Sequence, residues 1–145
     1  MKKLGIILIG LIIISCQDIE NCGTDDNRDF MILEFRDIES QATRKVGFMV
    51  TAEDSPYRFA LSSDSTFVAL PLNPEDTVST FLFDSDSSHF EVEMRYDPEF
   101  SIFDPACNPS ITFLNLDTVR YTFDSLSIPG TVTNRQISTN VEVYF

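Results

Sequence analysis

The chain has 145 residues, of which 43% are hydrophobic, with 13 phenylalanines, no tryptophan and a formal net charge of −13. That length holds one domain with a substantial core, and so acidic a chain repels phosphate backbones and anionic lipid, which excludes nucleic acid as an expected partner. A single histidine and three cysteines are a poor ligand supply for a zinc centre.

The N-terminus reads Met1-Lys2-Lys3, an unbroken apolar run from Leu4 to Ile14, then Ser15-Cys16 and polar Gln17-Asp18. A positive start, an apolar middle and a small-residue boundary are the parts of an export signal. The run is 11 residues long, well short of the roughly 20 that a bilayer-spanning helix needs. Residues 1–15 are therefore expected to be a cleaved leader. Ile13-Ile14-Ser15-Cys16 resembles the lipobox of bacterial lipoproteins. The resemblance implies cleavage after Ser15, lipid on the Cys16 sulfur and acylation of the new amine, with two or three acyl chains giving a durable membrane anchor. It places the chain in the cell envelope, on the outer membrane, with the periplasmic face and the cell surface both open. Without residues 1–15 the chain keeps 10 − 2 = 8 basic against 23 acidic side chains, a net charge of −15.

With Cys16 given to lipid by that resemblance, Cys22 and Cys107 are the remaining pair, and an exported domain meets an oxidising compartment. A disulfide between them would close an 86-residue loop, for which chain entropy gives about 4–5 kcal/mol as an upper figure. Two free thiols are the alternative. Residues 16–29, polar and acidic with Gly23 and Asn27, read as a tether.

From Phe30 onward the hydrophobic period is two. Met31, Leu33 and Phe35 alternate with Ile32, Glu34 and Arg36; Val46, Phe48 and Val50 follow, then Tyr57, Phe59 and Leu61, Phe67 to Leu70, and Val78 to Phe83. The clearest strand sets Phe90, Val92, Met94 and Tyr96 against Glu91, Glu93 and Arg95. Ile111 to Leu116, Val119-Tyr121-Phe123, Leu126 to Ile128 and a final Ile137 to Phe145 complete the series. Turn signals separate them, among them Asn73-Pro74-Glu75-Asp76, Asp84 to Ser88, Asp97-Pro98 and Pro129-Gly130. No segment offers a capped amphipathic helix. The expectation is an all-β domain over 30–145, an antiparallel β-sandwich of immunoglobulin-like or related type with eight to ten short strands.

The order of short motifs adds a resemblance. The lipobox and second cysteine are followed by Ile32 to Asp37 (Ile-Leu-Glu-Phe-Arg-Asp), Val68 to Asn73 (Val-Ala-Leu-Pro-Leu-Asn), Ala106-Cys107 and Phe113-Leu114-Asn115-Leu116. Together they resemble a family of small Bacteroidota lipoproteins, mainly flavobacterial, classed as a domain of unknown function. The resemblance implies the anchor, the two-cysteine framework and a sandwich-like domain. It implies no activity and no functional residues.

Candidate sites are few. His89 stands beside the acidic run from Asp84 to Asp86, but without an orienting partner it reads as a turn histidine rather than a general base. Asp84 and Asp86, or Asp97, Glu99 and Asp104, supply the oxygen ligands calcium takes, without EF-hand spacing. Phe100 and Phe103 lie in the proline-bracketed stretch Asp97 to Pro105, read as a loop between strands, where exposed apolar side chains mark partner contacts or fold back to plug the sandwich. No cofactor is expected. The leading expectation is a non-enzymatic binding or accessory module of the envelope with a protein partner; the alternative is a small-ligand or glycan binder assisted by calcium.

Overall fold

Side chains that alternate along a strand point to opposite faces, so each apolar series above commits one face of a strand to burial. The computed structural model describes residues 29–53, 56, 58–101, 110–133 and 138–145. Among them there is no helix, and nine strands follow in order: β1 (Phe30–Arg36), β2 (Met49–Ala52), β3 (Arg58–Ala60), β4 (Phe67–Pro71), β5 (Val78–Asp84), β6 (His89–Ser101), β7 (Ser110–Tyr121), β8 (Ser125–Ser127) and β9 (Val141–Tyr144). The expected leader over 1–15, the tether up to residue 28 and Ile137 lie outside the described residues.

The strands form two sheets, ordered β4-β1-β9-β8 and β3-β2-β5-β6-β7. Their inner faces meet in one core. Met31, Leu33 and Phe35 of β1, Leu70 of β4 and Val141 and Val143 of β9 come from one sheet; Val50, Phe81, Phe83, Val92, Met94 and Tyr96 come from the other, all buried. Phe35 and Phe83 touch edge to face across the sandwich, with ring centres 6.0 Å apart. Phe48, Phe90, Phe123 and Phe145 extend this group, with Phe90 stacked on Phe123 at 4.5 Å. The fold is therefore an all-β sandwich.

Four features differ from the sequence reading. The sandwich is not wholly antiparallel, because β9 runs parallel to β1, with Leu33 opposite Val141 and Phe35 opposite Val143. Alternation fixes which face a residue takes but not strand direction, and β9 pairs parallel with β1 on one side and antiparallel with β8 on the other. Second, Asp97-Pro98 is not a turn. β6 continues through Pro98 to Ser101, opposite Phe113 to Ser110 of β7. Third, Ile111 to Leu116 and Val119 to Tyr121 are one strand, interrupted only by register shifts. Fourth, Asp29 belongs to the domain and not to a tether: it is buried, its N–H donates to the Ile111 carbonyl at 3.0 Å, and its carboxylate accepts from the Thr112 hydroxyl at 3.0 Å.

Asn140 fastens the entry of β9. Its side-chain oxygen accepts from the Ile32 N–H and its own N–H donates to the Ile32 carbonyl, each at 2.9 Å, while its amide donates to the Val132 carbonyl at 2.9 Å. A buried polar side chain with its groups satisfied fixes register without an unpaired polar atom.

Two expectations follow. Phe83→Ala, which empties the centre of the aromatic group, should cost about 3–5 kcal/mol in denaturant melts. Deleting residues 140–145 removes β9 from between β1 and β8, and should abolish cooperative unfolding in calorimetry; a truncated chain that still melts sharply would contradict this topology.

Candidate functional site

β6 and β7 make a hairpin longer than the rest of the sandwich. β5 stops pairing with β6 at Arg95, so among the described strands the stretch from Asp97 to Ser101 pairs with β7 alone. Pro98 is tolerated there for a specific reason. Its partner Phe113 turns its own backbone groups away from β6, exchanging bonds with Thr133. Pro98 is thus at a non-bonded pair, and its missing N–H faces the side β5 has already left.

At the end of this hairpin Phe100 lies opposite Ile111 and is 56% exposed, the most exposed of the large apolar side chains among the described residues. The loop placement expected for it is corrected to a strand position. Its exposure has a geometric cause: it continues the inward-facing series Met94, Tyr96, Pro98, but at a level past the buried Phe113. Asp29 enters on the other side of β7, bonded to Ile111 and Thr112. The N-terminal chain therefore joins the domain at the same end of the hairpin as Phe100, with β7 between them. Phe103, Cys16, Cys22 and Cys107 lie outside the described residues.

Two irregularities shape the hairpin. Where Tyr96 passes Asn115 and Leu116 the register shifts, and Asn115 takes φ of 53°, a left-handed conformation in which its amide donates to Asp97 at 2.8 Å. Farther on, Glu93 pairs with Arg120 and Met94 with Thr118, which leaves Val119 as the extra residue of a bulge. Below the first irregularity the Tyr96 hydroxyl is buried against Ser79 Oγ at 2.6 Å and both backbone groups of Asn73 at 3.1 Å. Burial raises its pKa, opposed by those hydrogen bonds.

The other candidates are placed separately. His89 is the first residue of β6, at the entry to the Phe90 strand, and its Nδ1 bonds the Asp84 carboxylate directly opposite. Both are well exposed. Asp97 is engaged by Asn115, and Asp104 lies outside the described residues. Among the described residues no three His, Cys, Asp or Glu side chains converge in a way that could hold a metal ion.

Sequence reasoning missed one polar group. On the outer face of the β4-β1-β9-β8 sheet, Arg36 bridges Glu34 at 3.3 Å and Glu142 at 2.9 Å. Glu142 also accepts from the Ser127 and Tyr144 hydroxyls, and Glu34 from Thr139. Burial pushes the Glu142 carboxyl up, but the two hydroxyls and Arg36 outweigh it and hold its pKa below the usual carboxylate value. The only sequence signal was Glu34-x-Arg36 on one face; the partner is 108 residues away from Glu34. Its acceptors are filled from within, so it reads as a staple across β1, β9 and β8.

Comparison with protein-family models, curated proteins and solved structures returns no match.

Asn115→Ala should destabilise the domain by about 1–2 kcal/mol, because alanine is strained in the left-handed region, while Asn115→Gly should lose less; thermal melts distinguish them. The lowered pKa of Glu142 contributes stability that is complete above the unfolded value and is lost as pH falls through the folded one. Acid titration of Glu142→Gln should therefore show a shallower loss of stability below the ordinary glutamate pKa than the parent chain.

Proposed function

We propose that this chain is a lipid-anchored, non-enzymatic binding or accessory module of the cell envelope. The anchor is the acylated Cys16, the segment from residue 17 to 28 is the spacer, and the sandwich is a rigid support. The attachment rests on the charged-apolar-serine-cysteine order of the N-terminus, and the Cys22–Cys107 disulfide rests on the oxidising compartment that such export implies. An outer-membrane position, facing the periplasm or the cell surface, goes with that anchor.

The observation that carries the binding role is Phe100. A phenylalanine more than half exposed at the end of a two-stranded projection leaves apolar area in water that a partner protein can cover. It is at the same end of the hairpin as the point where the N-terminal chain enters, with β7 between them.

The test uses the intact chain in its own cells. A photo-crosslinking residue at position 100 should capture one envelope protein in near-equal amount, the same residue at the distant exposed Val119 should not, and Cys16→Ala should release the chain from the membrane fraction and lose the capture. Mass spectrometry of the membrane-extracted chain should find diacylglycerol on Cys16 and no free thiol at Cys22 or Cys107. Equal labelling from both positions would remove the role given to Phe100, and an unmodified, soluble chain would remove the anchor.

A further inference from the structure

The edges of the two sheets are not equivalent. β3 and β8, at one end of each sheet, have three residues apiece. β7, a third edge, is covered over its first half by Asp29 and Thr131 to Thr133, and its second half carries the Val119 bulge and an Asp117 carboxylate bonded to the Thr118 N–H. Short strands, bulges and covering segments are the usual protection against edge-to-edge pairing. β4, the fourth edge, has none of these among the described residues.

β4 is Phe67-Val68-Ala69-Leu70-Pro71, five residues without a charge. The Phe35 N–H donates to the Thr66 carbonyl at 2.9 Å, and pairing with β1 is regular from there to Pro71. Bonded pairs alternate in an antiparallel ladder, so Val68 and Leu70 exchange bonds with β1 while Phe67, Ala69 and Pro71 point their backbone groups outward. No partner for them exists among the described residues. Phe67 is 47% exposed, Ala69 is exposed, and Phe30, which lies opposite Pro71 on β1, is 39% exposed.

We infer that β4 is a pairing edge for a second copy of this chain. Antiparallel pairing about Ala69 sets Ala69 against the partner's Ala69, and Phe67 against the partner's Pro71. Each Ala69 N–H then meets the opposite Ala69 carbonyl. Each Phe67 N–H meets the carbonyl of the partner's Pro71, while the Phe67 carbonyl, for which proline has no N–H, stays with water. Both free donors of the edge are satisfied by its own sequence. On the outer face Phe67 comes beside the partner's Pro71 and, one strand further, the partner's Phe30, so the exposed aromatic side chains cover one another. Charge favours this strip too: two acidic copies repel, and the contact is made where each is uncharged. Five residues a side is far below the roughly 20–30 of a stable interface, so the pairing is weak and concentration-dependent, and added salt strengthens it by screening repulsion.

Sedimentation of the intact protein across a wide concentration range, with amide hydrogen exchange on the same samples, tests this. The expected result is a dimer that grows with concentration and with salt, slower exchange of the Phe67 and Ala69 amides as it forms, and loss of both effects in Ala69→Lys, whose side chain is already in solvent. The wild-type exchange decides the matter even if that variant folds poorly. A monomer throughout, a dimer whose Phe67 and Ala69 amides exchange unchanged, or a dimer that survives in a folded Ala69→Lys would each overturn the inference.

Discussion

The insertion of β9 between β1 and β8 is the constraint on which the rest of the sandwich depends. β1 pairs with β4 on one side and β9 on the other, and among the described strands β8 pairs with β9 alone. Remove β9 and the four-stranded sheet becomes a two-stranded ribbon and a loose three-residue strand, neither stable alone. Val141 and Val143 also carry core side chains of that sheet, and Phe145 completes the aromatic group, touching Phe35, Phe48, Phe90 and Phe123. Arg44 lies 4.3 Å over the Phe145 ring and donates to its carbonyl, closing that end with a cation on an aromatic face. Partners separated by some hundred residues close late and slowly, since loop entropy is lost before contacts repay it.

Much of this was legible, and the reason is the alternation. Of Phe90, Val92, Met94 and Tyr96, the apolar series of the clearest strand, the last three are wholly buried and Phe90 partly so, and Met31, Leu33 and Phe35 are wholly buried. Period two determines faces because side chains in a strand must alternate. Direction and order are set by which edges find each other, so the parallel β1–β9 pair left no local trace. Pro98 misled for a related reason. Proline argues against a central strand, and β6 is central by sheet order, yet at Pro98 its neighbour β5 has already ended. Whether a strand is central is a property of each residue, visible only once the lengths of its neighbours are known.

The candidate site was legible in identity but not in context. Phe100 could be singled out from its place among prolines and acids, but its level past the buried Phe113 is a consequence of unequal strand lengths. Asp29 looked like the end of a polar tether because a lone aspartate carries no sign of its partner. Its burial depends on Thr112 and Ile111, more than eighty residues on. Short-range polar motifs were easier: Asp37 accepts from Ser40 and Glu39 within one turn, as aspartate in a turn does.

The acidic composition sets a problem that the arginines answer. On antiparallel and parallel neighbours alike, residues opposite one another share a face, and carboxylates placed there repel. Glu34 is opposite Glu142, and Arg36 stands between them. Glu91 and Glu93 lie on one face of β6, and Arg120 bridges both from β7; Arg95 takes Asp117 in the same sheet. An exposed ion pair on its own contributes about 0–1 kcal/mol. These pairs matter more for what their loss leaves behind, since taking away Arg36 or Arg120 sets two like charges side by side. With basic residues so outnumbered, Arg36 and Arg120 are placed between carboxylates, and exposed acids such as Asp86 are left to water. The outer faces can thus be densely acidic without the strands being forced apart, while the uncharged β4 edge is left as the place where such a surface can meet another.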